Sequence, residues 1–269
     1  MPRPLTLPNQ SKLLICICII LQIWELYVIK NRPHGTWWLL LIAFFAGGLL
    51  TDLISGIFHF TFDYVWPPNT PIMGPIAVEF HEHHLTPTLD PSALTANLTK
   101  GVYGAIPLTV ITLCVAGMTP DTAAWFAVIA TLGFTNLWML GFHQIHAYAH
   151  MGSELSADEF NRAVREISRL PEKEQRKEFA RLFQALGIPP WVRLLQRSRL
   201  FLRPDVHWQH HITFESDFSS VNGWSDPMMN WLYRLLIKRM TAKPVSAAAG
   251  RSLAGETREG ELRVEERQP

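Results

Sequence analysis

Cysteine is scarce in this 269-residue chain: Cys16, Cys18 and Cys114 are all there is, each inside an apolar run. None has the paired spacing of a zinc site or a secreted disulfide framework, so they read as lipid-facing or packing residues. Net charge is lacking too. Lys and Arg number 24 and Asp and Glu 23, a balance of +1, so nothing in the composition points to nucleic acid or a strongly acidic partner. No internal repeat is evident. The most informative absence is local. Between residues 101 and 153 the only charged side chain is Asp121, whereas charge crowds into residues 154–203 and the C-terminal tail. A bilayer imposes that segregation, because it has no water to solvate charge or unpaired backbone.

Four apolar runs account for the rest of the pattern. Residues 13–29 are apolar except Gln22 and Glu25, and residues 37–60 except Thr51, Asp52, Ser55 and His59; residues 102–118 and 122–142 carry no charge. At about 1.5 Å per residue, each crosses most or all of a hydrocarbon core about 30 Å thick. The expected fold is therefore an all-α integral membrane protein with about four transmembrane helices. Lys12 before the first run would suit a secretory signal, but no small-residue cleavage site follows and residues 27–32 are bulky and basic, so the run is expected to remain as a span. Only Thr119, Pro120 and Asp121 separate the last two runs, which makes them a tight helical hairpin. Its open ends share a side with the basic stretch of Arg162, Arg165, Arg169, Lys173, Arg176 and Lys177, a side that the positive-inside rule places in the cytoplasm. Lys30 and Arg32 fall on the other side and weigh against that orientation.

Residues 1–242 are expected to form one membrane domain with a helical cytosolic insertion at 153–186. In that insertion Ser156 and Glu159 make a capping box ahead of Phe160, Val164 and Ile167. Residues 243–269 lack apolar periodicity and read as a disordered tail.

Ten of the eleven histidines fall in four short clusters, all at or just beyond ends that the topology places on one side. His59 and Asp63 close the second run, and His81, His83 and His84 follow in a loop. His143, His146 and His150 end the fourth run; His207, His210 and His211 come after the basic segment. Residues four apart lie on one helix face, so His59 with Asp63, and His146 with His150, can each aim two side chains at a common centre. Neutral imidazole is a good ligand for iron, zinc, copper or nickel. So many ligands exceed what one tetrahedral zinc can use, so two metals fit better than one. His34 stands apart and reads as an interfacial residue. Asp52, seven positions before His59 and near the same face, suits either a carboxylate orienting an imidazole or an isolated polar helix contact.

These stretches resemble the lipid desaturase family that includes plasmanylethanolamine desaturase and the plant trans-palmitate (phosphatidylglycerol) desaturase. The first motif runs from Asp52 through Ser55, Gly56 and His59 to Asp63. The second comprises Phe80, His81, Glu82, His83 and His84 with Pro87, and the third runs from Gln144 through His146 to His150. A longer C-terminal block holds residues 188–196, His207, Trp208, Gln209, His210, His211, Phe218, Gly223 and Trp224. Carried over position by position, the resemblance implies His59, His83, His84, His146, His150, His207, His210 and His211 as ligands of two non-haem iron ions. His81 and His143 are extra, standing beside the metals or incidental, and Asp63 is either ligand or hydrogen-bond partner. The insertion at 153–186 departs from the family pattern and leaves the substrate open.

An unactivated C–H bond lies beyond side-chain acid–base chemistry, so a metal must supply the reactivity. The resemblance implies an O2-dependent oxidoreductase that places a double bond in a phospholipid-linked chain. Conversion of plasmanyl to plasmenyl (vinyl ether) lipid is favoured over acyl-phospholipid (fatty acid) desaturation. No cytochrome b5 module or flavin fingerprint appears, so electrons are expected from a separate cytochrome b5-like protein, ferredoxin or flavoprotein reductase, which the basic insertion could dock. Trp66, Trp208 and Trp224 are candidates for the rim of an apolar slot or for interfacial anchors. A membrane di-iron hydroxylase is the rival of the same chemistry. A histidine-rich metal transporter or sensor is the rival of another class, although its ligands should line a route across the bilayer.

Overall fold

The computed structural model describes residues 8–71, 73–85, 89–150, 162–163, 165–171, 173–175, 177–178, 181 and 188–237. Among them there are helices and turns and no strand. In chain order the helices are α1 (Pro8–Lys30), α2 (Trp37–Tyr64), α3 (Gly74–Leu85), α4 (Leu94–Met118), α5 (Ala123–Ala149), α6 (Pro190–Arg197), α7 (Pro204–Thr213) and α8 (Asp226–Leu236). Helices α1, α2, α4 and α5 are the four expected spans, each long and apolar enough to cross a membrane. The insertion at 153–186 lies largely outside the described residues, and the tail at 243–269 wholly outside.

All four spans are longer than their apolar runs, α4 and α5 most of all, because backbone hydrogen bonding continues past the point where hydropathy falls. Helix α4 starts at Leu94 and α5 runs on to Ala149. The polar overhang is paired across the two: Asn97 donates to Gln144 Oε1 at 3.0 Å, and Gln144 donates to the Pro91 carbonyl at 2.9 Å. Helix α2, with 28 residues, reaches roughly 42 Å against a hydrocarbon core of about 30 Å. Its last turns, with His59 and Asp63, therefore come to or beyond a membrane surface.

The far ends of the four spans are tied together. Arg32, in the α1–α2 turn, donates to the Ala116 and Thr119 carbonyls at the end of α4 and pairs with Asp121 at 3.2 Å. The opposite ends of α2, α4 and α5 therefore share the other side, as the sequence pattern requires. The residues that interrupt the apolar runs hold the spans to one another. Thr51 on α2 donates to the Thr135 carbonyl on α5 at 3.1 Å. Asn136 of α5 receives Gln22 of α1 on its carbonyl and donates to Glu25 of α1 at 2.6 Å and to Thr112 of α4 at 3.2 Å. Gln22, Glu25, Thr51, Thr112 and Asn136 thus find partners on neighbouring helices, as a bilayer favours.

Close crossings at glycine set the spacing of the bundle. A methyl group at Gly101 of α4 would lie 2.8 Å from the Leu140 and Met139 backbone of α5, whereas one at Gly117 would meet nothing within 4 Å. Gly101→Ala is expected to push α4 off α5 and cost about 1–3 kcal/mol, while Gly117→Ala should leave the thermal midpoint in detergent where it was or raise it. Equal midpoints for the two variants would contradict this packing.

Candidate metal centre

Four helices, α2, α3, α5 and α7, converge on one end of the bundle, and their histidines form two groups. His83, His146, His150, His207 and His211 offer ligand atoms within 4.8 Å of one another, as do His59, Asp63, His84 and His210. The period of the helix sorts them. His59 and Asp63 on α2, His146 and His150 on and capping α5, and His207 and His211 on α7 are i, i+4 pairs on single faces. His210, one residue before His211, is turned by about 100° into the other group. His83 and His84 part in the same way. They lie on α3, where the sequence suggested a loop; a helix is what lets two adjacent side chains serve neighbouring centres. Twelve residues opened by Gly74 and Pro75 left too short a period to recognise.

The nitrogens crowd inward. His146 Nε2 lies 2.7 Å from His207 Nε2, His150 Nε2 lies 2.9 Å from His207 and 3.1 Å from His146, and His211 Nε2 lies 3.1 Å from His207. In the other group His59 Nε2 and His84 Nε2 are 3.0 Å apart. A neutral imidazole carries one N–H, so these mutual contacts cannot all be hydrogen bonds. Nitrogens each about 2.1 Å from a shared cation would have such edges.

Asp63 gives a second test. Both carboxylate oxygens are buried without a hydrogen-bond partner, and they lie 3.4, 3.6 and 3.9 Å from Nε2 of His210, His84 and His59. A buried carboxylate with no donor is costly unless a cation faces it. His210 donates through Nδ1 to the Ser216 carbonyl at 2.8 Å, which turns its Nε2 lone pair inward, and His59 Nδ1 lies 3.3 Å from Ser220 Oγ. The residues present fit metal on both counts.

His81 and His143 stand outside both groups. His81 Nε2 donates to the Phe62 carbonyl at 3.2 Å, which ties α3 to α2, and the His143 ring packs on Phe142 with its centroid 6.3 Å from that of His146. Asp52 touches no imidazole among the described residues. Its Oδ1 accepts the amides of Val221, Asn222 and Gly223, and its Oδ2 accepts the amide and hydroxyl of Ser225. It anchors the loop that carries Ser220 to His59, a loop in which Gly223 has φ +78°. Trp208 is not a rim residue: it is buried, with ring contacts of 5.1 and 5.0 Å to His150 and His211. Trp66 meets Phe62 in a tilted ring contact with centroids 5.3 Å apart, and Trp224 meets Phe45. Sequence reasoning missed Ser216, Ser220 and Ser225, whose only signal was a turn-rich composition.

Burial holds the imidazoles outside the spans in their neutral, metal-binding form. It pushes His83 down to about 3 and His84, His150, His207 and His211 well below the usual value. The unfolded chain takes up protons near pH ~6.5 where the folded one does not. Stability of the metal-free protein should therefore be full above that value and decline as pH falls toward 3. Its melting temperature is expected to drop between about pH 8 and about pH 5, and metal to oppose the drop. A flat profile would contradict neutral burial.

The lipid desaturase domain model matches residues 48–178, which take in His59, His83, His84, His146 and His150. The chain is 24% identical over 222 residues to a plasmanylethanolamine desaturase of Myxococcus xanthus, covering 80% of this chain and 64% of that one. It is 24% identical over 195 residues to the chloroplastic fatty acid desaturase 4 of Arabidopsis thaliana, covering 71% and 57%. The chain thus spans less than two thirds of the length of either relative. No solved structure matches it.

Proposed function

We propose, from the match of residues 48–178 to the lipid desaturase domain model, that this chain is an O2-dependent membrane lipid desaturase built around two non-haem iron ions. The observation that carries the reading is the division of eight histidines and Asp63 into two adjoining, buried ligand groups at one end of an apolar bundle. His83, His146, His150, His207 and His211 would hold one ion; His59, Asp63, His84 and His210 would hold the other. When bound, the iron pair supplies the oxidising power that no side chain has, so that a saturated C–C unit, O2, two electrons and two protons become an alkene and two waters. The protein's own residues place, orient and enclose. Ser216 and Ser220 fix imidazole orientation, Trp208 shields the first group from water, and α2, α4 and α5 confine the lipid chain to the apolar side of the histidines.

Within this class the substrate is proposed to be an ether phospholipid, converted from plasmanyl to plasmenyl form, a reading that the name of the Myxococcus relative supports. Acyl-phospholipid desaturation is the alternative, which the Arabidopsis relative favours. The histidine end faces the cytosol, because Arg193, Arg197, Arg199 and Arg203 lie on its side along with the basic stretch at 162–177. Electrons come from a separate cytochrome b5-like protein, ferredoxin or flavoprotein reductase.

Lipidomics of a heterologous host expressing the chain or its His210→Ala variant tests the reaction. Acid-labile vinyl ethers should accumulate with the wild type alone. Acid-stable double bonds would redirect the substrate to acyl lipids, hydroxylated lipid without unsaturation would make the enzyme a hydroxylase, and identical lipids from both would remove the proposal.

A further inference from the structure

Helix α6 is short and sharply divided. At about 100° per residue, Val192 and Gln196 fall on one flank, Trp191, Leu194 and Leu195 on the next, and Arg193 and Arg197 on the third. The first flank lies against the protein. Val192 is fully buried, and Gln196 donates at 3.2 Å to the carbonyl of Tyr148, which stands between His146 and His150 at the end of α5. The second flank is bare: Trp191 is 53% and Leu194 66% exposed. The third is basic without a counterion. Residues 188–203 hold four arginines and no Asp or Glu. Asp205 engages Arg203 through two hydrogen bonds of 2.9 and 2.6 Å, whereas Arg193, Arg197 and Arg199 make no ion pair among the described residues.

Arg199 ends the helix at a position that suits glycine. Its φ is +59°, and the amides of Arg199 and Leu200 bond back to the carbonyls of Gln196 and Leu195 at 3.1 and 2.9 Å. Glycine is the usual left-handed residue in such a helix ending. An arginine there carries a backbone cost that glycine avoids, and what it adds is a cation beside Arg193 and Arg197.

Helix α8 repeats the pattern. Met229 and Tyr233 pack on Phe60 and Tyr64 at the end of α2 that carries His59. Met228 and Trp231 are exposed on a second flank, and Arg234 is exposed on a third. Two helices at the histidine end of the spans are thus each divided into a buried, a bare apolar and a basic flank. Such a helix belongs where protein, acyl chains and headgroups meet.

We propose that the outer face of α6 is a docking surface for the anionic lipids of the surrounding bilayer, with Trp191 and Leu194 among the acyl chains and Arg193, Arg197 and Arg199 on the headgroups. The lipid acts here as a surface and not as the reacting molecule. By holding α6 in place it keeps Gln196 on the end of α5 that carries His146 and His150. An acidic soluble protein fits less well, because it would cover α6 and leave Met228 and Trp231 of α8 in water.

The test uses the full chain in nanodiscs that mix phosphatidylcholine with phosphatidylserine, one of the two carrying brominated acyl chains. Bromine quenches nearby tryptophan fluorescence, and the difference between wild type and Trp191→Phe isolates Trp191. Brominated phosphatidylserine should quench Trp191 in preference to brominated phosphatidylcholine, and about 1 M salt should erase the preference. Changing Arg193, Arg197 and Arg199 together to glutamine should cut that preference roughly tenfold or more, whereas Arg203→Gln, which removes an arginine already paired, should leave it in place. Arg199→Gly should weaken the preference as Arg199→Gln does, yet melt at or above the wild-type temperature, which separates the loss of the cation from damage to the helix end. Equal quenching by the two lipids would overturn the proposal, since α6 would then be an anchor indifferent to charge. An equal loss in Arg203→Gln would overturn it as well, because net charge and not this face would be at work. No quenching of Trp191 by either lipid, with the arginine variants needing more electron donor for half-maximal turnover, would make α6 a protein-docking face in its place.

Discussion

Under the proposed di-iron desaturase reading, replacing His207 with alanine is expected to abolish lipid turnover and to leave purified protein with about one iron per chain in place of two. His207 stands at the middle of its group, its Nε2 2.7 Å from His146, 2.9 Å from His150 and 3.1 Å from His211. It is wholly buried. Removing it takes away one nitrogen and leaves a void beside the others that water enters, so the remaining imidazoles no longer define a closed set. The His81→Ala variant supplies the contrast. That ring bonds a backbone carbonyl and sits in neither group, so its loss should lower activity by no more than the roughly 10–100-fold typical of a residue supporting a metal site. Metal analysis of both proteins alongside product formation decides the matter. Full iron and full turnover in His207→Ala would remove that residue from the centre.

Asp52→Ala should produce the largest loss of stability. The carboxylate is fully buried and accepts four amides and one hydroxyl from residues 221–225. Each donor left unpaired costs about 1–3 kcal/mol, against a total stability of about 5–15 kcal/mol for a typical domain. The loop should detach, releasing Ser220 from His59 and Ser225 from α2. The expected result is a fall of more than about 10 °C in the melting temperature and new protease cleavage between residues 216 and 226. Asp52→Asn should rescue little, because its amide nitrogen would face N–H donors. If Asp52→Ala melted like wild type yet lost activity, the carboxylate would be acting on the chemistry and not on the loop.

The four spans were readable because a bilayer demands long apolar runs, and composition reports those directly. Their true ends were not. The polar turns at 94–101 fall before the apolar run of α4 in a hydropathy reading, yet they are helix, and Asn97 there pairs with Gln144 across α4 and α5. Spacing likewise revealed the i, i+4 histidine pairs but not the helix under His83 and His84. Asp52 shows the limit most clearly. Its position seven residues before His59 suggested an imidazole partner, whereas its actual partners lie about 170 residues away in sequence, a distance across which spacing carries no information.

The sequence alone determined that this chain enters a membrane four times and gathers its histidines on one side. Both are consequences of local periodicity and of the solvent each segment needs. Only the tertiary structure decided which histidines share a centre, that Asp63 faces them without a donor, and that Asp52 belongs to a loop. Those outcomes depend on how the faces of α2, α3, α5 and α7 are rotated against one another, and packing between distant segments sets that rotation.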